Sequence, residues 1–205
     1  MKDLHVSWEE YRRLIETLAF NVYDSGWKFD SLLCLARGGL RPGDILSRIF
    51  DMPLNILSTS SYREAAGTIQ GSLDIGKYIA SSRPDSLKGR VLLVDDLVDS
   101  GLTLKKVVEH LQNNYPGVTE VRTAVLWWKG CSQVEPDYYV EYLGDNPWIH
   151  QPFEEYDTMR LGQLVAKVEG KRNTAAVRSF TALSIASAVG STAIIFAPVN
   201  PINFQ

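Results

Sequence analysis

Residues 91–103 read Val-Leu-Leu-Val-Asp-Asp-Leu-Val-Asp-Ser-Gly-Leu-Thr, and few folds accommodate such a stretch. Four apolar residues in a row suit a strand covered on both faces, as in a parallel sheet flanked by helices. The run stops at two adjacent carboxylates, Asp95 and Asp96, and a third, Asp99, follows. Carboxylates at the tip of a buried strand are costly unless a cation, a ligand or hydrogen-bond donors meet them. Ligands of parallel sheets bind at strand C-terminal ends, so this tip is the expected site.

The flanking pattern fits an α/β chain. Ser7 and Glu10 form a capping box ahead of Trp8, Tyr11, Ile15, Leu18 and Val22, which predicts a helix over 8–24 ended by Ser25-Gly26. Ser31–Ala36 is a short apolar strand broken by Arg37-Gly38-Gly39, and Pro42-Gly43 opens a helix to about Phe50. Strands are expected at 53–58, 91–95, 120–128 and 138–143, with helices at 103–114 and 155–168. Residues 60–88 have weak periodicity and are expected to form a long, mobile loop of the kind that is usually functional. Alternation of this kind predicts a parallel sheet flanked by helices.

Residues 1–170 are expected to form one domain and 171–205 an apolar extension. No charged residue occurs from Phe180 to Gln205, and Lys171, Arg172 and Arg178 precede that stretch. It suits a packed helix or strand pair at a subunit interface, or a membrane association. A net charge of −3 gives no reason to expect nucleic-acid binding. Cys34 and Cys131 have no second ligand at metal spacing, and the N-terminus has no apolar signal region, so a cytoplasmic protein is expected.

After Asp99, the backbone amides of Ser100, Gly101 and Leu102 converge at the start of a helix, where unsatisfied N–H groups and the helix dipole favour an anion. Ser100 and Thr103 add hydroxyls. Asp95 and Asp96 can accept from two vicinal hydroxyls or hold magnesium through them. Together these groups would grip a ribose 5-phosphate.

This combination resembles the phosphoribosyl pyrophosphate (PRPP) signature of type I phosphoribosyltransferases. Ala36-Arg37-Gly38-Gly39-Leu40-Arg41-Pro42-Gly43 is similar to the pyrophosphate loop of the xanthine-guanine branch, implying that Arg37, Gly38 and Gly39 bind pyrophosphate. Lys129, and Trp148-Ile149-His150-Gln151-Pro152-Phe153-Glu154 some nineteen residues on, resemble that branch's purine end. The resemblance implies that Lys129 donates to the purine 6-oxo group, Trp148 stacks on the base and Ile149 contacts its edge. Ser61, Tyr62 and Arg63 would belong to a hood closing over the site. His150 stands where many members have Glu, which leaves the preferred purine open, and Phe153-Glu154 replaces Trp-Asp.

The resemblance thus implies transfer of a phosphoribosyl group from PRPP to hypoxanthine, guanine or xanthine. Mg2+ would be the cofactor, Asp99 the proton acceptor, and the protein a homodimer or homotetramer. A non-catalytic regulator or sensor on the same fold is the alternative. His5 is expected to be exposed and His110 to lie on a helix surface.

Overall fold

A computed structural model describes residues 3–61, 73–84 and 86–171. The chain divides into two compact units, residues 1–152 and 153–205. The first holds a seven-stranded sheet.

Helix α1 spans Trp8–Asp24. Its capping box is closed: Glu10 N–H donates to Ser7 Oγ at 3.2 Å, and Ser7 N–H donates to Glu10 Oε2 at 2.8 Å. Tyr11, Leu14, Ile15, Leu18, Ala19 and Val22 form its buried stripe. Trp8 is exposed, edge-on to Tyr11, because it starts the helix ahead of the covered turns.

Strand β2, Ser31–Ala36, lies between β3, Leu54–Ser61, and β5, Gly89–Val94, parallel to both. Beyond β5 comes β7, Val118–Lys129, whose other edge carries β8, Tyr138–Leu143. Side chains alternate between faces. Leu33, Leu35, Val91, Leu93 and Val125 pack against Leu104, Val107 and Leu111 of α3, Leu102–Asn114. Helix α2, Leu40–Ile49, packs on β2, where a Cβ on Gly43 would collide with the Cys34 side chain. Core leucines such as Leu93 are fully buried, and truncating one to Ala costs about 2–5 kcal/mol.

The structure departs from expectation in four places. Helix α2 starts at Leu40 rather than at Pro42-Gly43, because Pro42 falls in the first turn, where its missing N–H has no helical acceptor. The segment read as a loop over 60–88 contains β4, Leu73–Ser81, antiparallel to β3 at the sheet edge. Its alternation is blurred by Gly76 and by a register shift between Leu57 and Thr59. A two-residue strand β6, Leu97–Val98, and a separate pair, β1 (Leu4–His5) with β9 (Ile149–His150), are too short for any periodicity. In the second unit, the helix expected over 155–168 is two pieces, Glu155–Thr158 and residues 161–171.

No helix among the described residues is long and apolar enough to cross a membrane. The apolar stretch 180–205 lies outside the described residues, as do Tyr62 and Arg63.

Candidate functional site

The acids occupy a break at the C-terminal end of an interior strand. Strands β5 and β6 lie along the same side of β7, pairing Val94 with Ala124 and Leu97 with Trp127. Asp95 and Asp96 are the interval between them. Their main chain stays bonded to β7: Asp95 N–H donates to Ala124 O at 3.1 Å, and Asp96 O accepts from Leu126 N–H at 2.9 Å. Each side chain turns onto the amide of the residue that follows it. Asp95 Oδ1 accepts from Asp96 N–H, and Asp96 Oδ1 from Leu97 N–H, both at 2.9 Å. Gln151 Nε2 donates to Asp96 Oδ2 at 2.6 Å. Burial, and next the Asp96 charge, hold the Asp95 carboxyl well above the usual carboxylate range. The Tyr11 phenol is also pushed up, mainly by burial and then by Asp96.

The Arg37-Gly38-Gly39 turn follows the neighbouring strand β2 and presses on these acids. Its Ala36–Arg37 peptide is cis. A Cβ on Gly38 would fall inside the Asp96 carboxylate, and one on Gly39 would strike the Val94 and Leu35 carbonyls. The main chain can therefore run against the acidic tip only without side chains here. Arg37 is exposed beside them.

On the far side, Gly101 has φ +82° and caps α3. Its Cβ would meet Ser132 Oγ and Val134. The first helical bond is made by Lys105 N–H to Gly101 O, which leaves the N–H groups of Thr103 and Leu104 in the unbonded first turn. Leu102 N–H faces Ser100 Oγ at 3.4 Å. A cavity of about 240 Å3 opens here, lined by Asp95, Asp96, Asp99, Ser100, Gly101 and Thr103 among others. Leu102, expected among the donors, does not line it. A larger apolar cavity of about 520 Å3 lies between the end of α1 and α2, lined by Phe20, Trp27, Phe29 and Phe50 among others, and contains no carboxylate.

Lys129 ends β7, is buried, and places Nζ 3.5 Å from Asp99 Oδ1. Cys131 Sγ lies 3.4 Å from the same oxygen. Trp148 is half exposed while the Ile149 side chain is buried. Strand β1 uses the carbonyls on either side: Leu4 N–H donates to Trp148 O at 2.8 Å, and Val6 N–H to His150 O at 3.0 Å. By strand alternation, the main-chain groups of Ile149 point to the opposite edge. His5 is exposed as expected, but its ring stacks on that of His150. His110 is half-buried on α3 rather than on its open surface, edge-on to Tyr115. Trp127 and Trp128 are packing residues. Trp127 donates to Glu141 at 2.9 Å, and Trp128 meets Tyr139 and Tyr142. Ser61 ends β3.

Sequence reasoning overlooked two neighbours of the acids. Gln151 was visible only as part of the Trp148–Glu154 segment. Tyr11 looked like any apolar-stripe residue of α1.

Comparison with known proteins adds to this geometry. Residues 7–158 match the phosphoribosyl transferase domain family. A purine phosphoribosyltransferase structure from Pyrococcus horikoshii is 33% identical, with a TM-score of 0.62 over 78% of this chain and 99% of that one. The xanthine-guanine-hypoxanthine phosphoribosyltransferase of Helicobacter pylori is 27% identical, with a TM-score of 0.62 over 76% of this chain and 96% of the other. The xanthine-guanine phosphoribosyltransferase of Roseobacter denitrificans is 26% identical over 161 residues, 75% of this chain and 86% of that protein.

Proposed function

The chain belongs to the phosphoribosyltransferase family, whose purine-using members it resembles in sequence and structure, and on that premise we propose that its acceptor is a 6-oxopurine. The carrying observation is the Lys129–Asp99 pair, with Nζ and Oδ1 3.5 Å apart beside the cavity. A 6-oxopurine presents O6 next to N7 on one edge, whereas adenine presents an amino donor there. Lys129 donates to O6 while Asp99 accepts the proton from the imidazole ring. An amino group would face an ammonium that has no acceptor to offer it.

The 5'-phosphate of PRPP sits against Ser100, Gly101 and Thr103 and the open first turn of α3. Leu102, whose N–H faces Ser100 Oγ, is the remaining proposed member of that phosphate loop. Asp95 and Asp96 accept from the ribose hydroxyls. Arg37, Gly38 and Gly39 take the pyrophosphate, Arg37 supplying charge and the glycines a close main chain. Trp148 offers a ring for the base to stack on. Ile149 offers main-chain groups to the base edge. Ser61, Tyr62 and Arg63 remain the proposed hood.

The donor set suits magnesium. Asp95 and Asp96 supply only oxygen, and burial first and the Asp96 charge second disfavour the Asp95 carboxylate, which a hard cation relieves. Bound there with PRPP, the ion supplies positive charge against the departing pyrophosphate. The bond from ribose C1 to pyrophosphate breaks, a bond from C1 to the purine nitrogen forms, and the purine proton passes to Asp99. The free thiols of Cys34 and Cys131 accord with a reducing cytoplasm, and the expected homodimer or homotetramer is read by gel filtration.

The test is pyrophosphate release with PRPP, magnesium and each of hypoxanthine, guanine, xanthine and adenine. Turnover with at least one oxopurine, well above adenine, is expected. Preference for adenine, or PRPP binding without release from any base, rejects the reading, and the latter result favours a sensor.

A further inference from the structure

We infer that Asp3, His5 and His150 form a binding site for a divalent transition-metal ion of the zinc class, which clamps β1 to the segment bearing Trp148, Ile149 and Gln151. The site is separate from the acidic tip, and its ion takes no part in the transfer step itself.

The register of the small parallel sheet creates it. Leu4 pairs with Ile149 and His5 with His150. Paired residues of neighbouring strands project to the same face. The two imidazoles are accordingly stacked, with centroids 4.3 Å apart and planes 8° from parallel. Asp3, one step before β1, brings Oδ2 to 3.0 Å from His150 Nε2. One ligand atom from each of the three residues lies within 4.8 Å of the other two.

The chemistry separates this site from the magnesium-type donors. Two nitrogens and one carboxylate oxygen form a borderline set, suited to Zn2+, Co2+ or Ni2+ over Mg2+. Zinc bonds of about 2.0–2.2 Å require neighbouring ligand atoms somewhat closer than the present span. Binding one ion requires the imidazoles to rotate out of their stacked arrangement so that both in-plane lone pairs turn onto it, a motion that the exposure of His5 permits. Asp3 and His5 are exposed and His150 half so, leaving an entry path and an open position for water. Among the described residues, no other three His, Cys, Asp or Glu side chains converge this closely.

The location gives the ion a consequence. The strand β9 that it would hold leads directly into Gln151, whose amide binds Asp96. Tying β1 to β9 stabilises the segment that connects the base end to the acids.

Untagged full-length protein, stripped with chelator and returned to excess Mg2+, should be titrated with Zn2+, and with Co2+ for its visible spectrum. One ion per chain, bound at micromolar concentration or tighter with a rise in Tm, is expected. His5→Gln should weaken binding at least tenfold and abolish the rise in Tm, as should His150→Gln. Asp3→Asn should weaken it less. His110→Gln and Cys131→Ser should bind as wild type does. Circular dichroism confirms that each variant is folded, and zinc-edge absorption should show two imidazole ligands. Absence of stoichiometric binding, or unchanged binding in folded His5→Gln, overturns the site and leaves only a stacked, hydrogen-bonded cross-strand pair.

Discussion

Gln151 Nε2 donates to Asp96 Oδ2 at 2.6 Å across 55 residues of sequence, tying the segment after β9 to the tip of β5. The bond fixes one of the two acids that the sequence marks as the site. It also links the segment proposed to hold the base to the acids proposed to hold the ribose.

Gln151→Leu removes that donor while retaining bulk. A hydrogen bond to a charged group contributes about 1.5–3 kcal/mol, so kcat/KM for PRPP should fall roughly 10- to 100-fold. Steady-state kinetics with PRPP varied reads the loss. An unchanged constant would mean that Asp96 is held adequately by its own main chain.

Asp99→Asn and Lys129→Met separate the two halves of the ion pair. Asp99→Asn should lower turnover by about 100-fold or more, in the range of general-base losses, while PRPP binding by calorimetry stays near wild type. Lys129→Met should reduce oxopurine kcat/KM and narrow the gap to adenine. Equal losses for both bases would remove Lys129 from the discrimination.

Asp95→Asn should stabilise the free protein and disable it. Burial and the Asp96 charge both disfavour the Asp95 carboxylate. An amide oxygen still accepts from Asp96 N–H. A gain of about 1 kcal/mol corresponds to a rise in Tm of roughly 2–4 °C for a chain of this size. Calorimetry measures the shift, and a lower Tm contradicts the account.

Gly101→Ala and Gly26→Ala form a controlled pair. Both glycines have positive φ, +82° and +70°, but a Cβ at Gly101 meets Ser132 and Val134 while one at Gly26 meets nothing within 4 Å. The backbone term is about 1–2 kcal/mol at each. Gly101→Ala should therefore lose more stability and also weaken PRPP binding, whereas Gly26→Ala should bind PRPP normally. Similar losses of Tm would show that the Ser132–Val134 loop yields freely.

Much of the fold can be read locally. The apolar run 91–94 ends in acids because a strand covered on both faces meets solvent only at its tip. The Ser7–Glu10 box starts α1 because its bonds join residues three apart. Gly101 precedes α3 because its φ of +82° suits a residue without a Cβ. Each rests on contacts within a few residues, so one stretch of sequence determines it.

Other features depend on pairings made far along the chain. Strand β4 is held by β3 despite a blurred alternation. The stacking of His5 on His150, the Lys129–Asp99 pair and the Gln151–Asp96 bond each need the sheet's register before the partners meet. A two-residue strand has no period to detect, and a glutamine shows no preference for one carboxylate over another. By itself the sequence determined the strand end at which the acids, the glycines and the hydroxyls gather. The tertiary structure decided which of them touch, because register and strand order, set by burial of the whole core, bring residues far apart in the chain within a few ångströms.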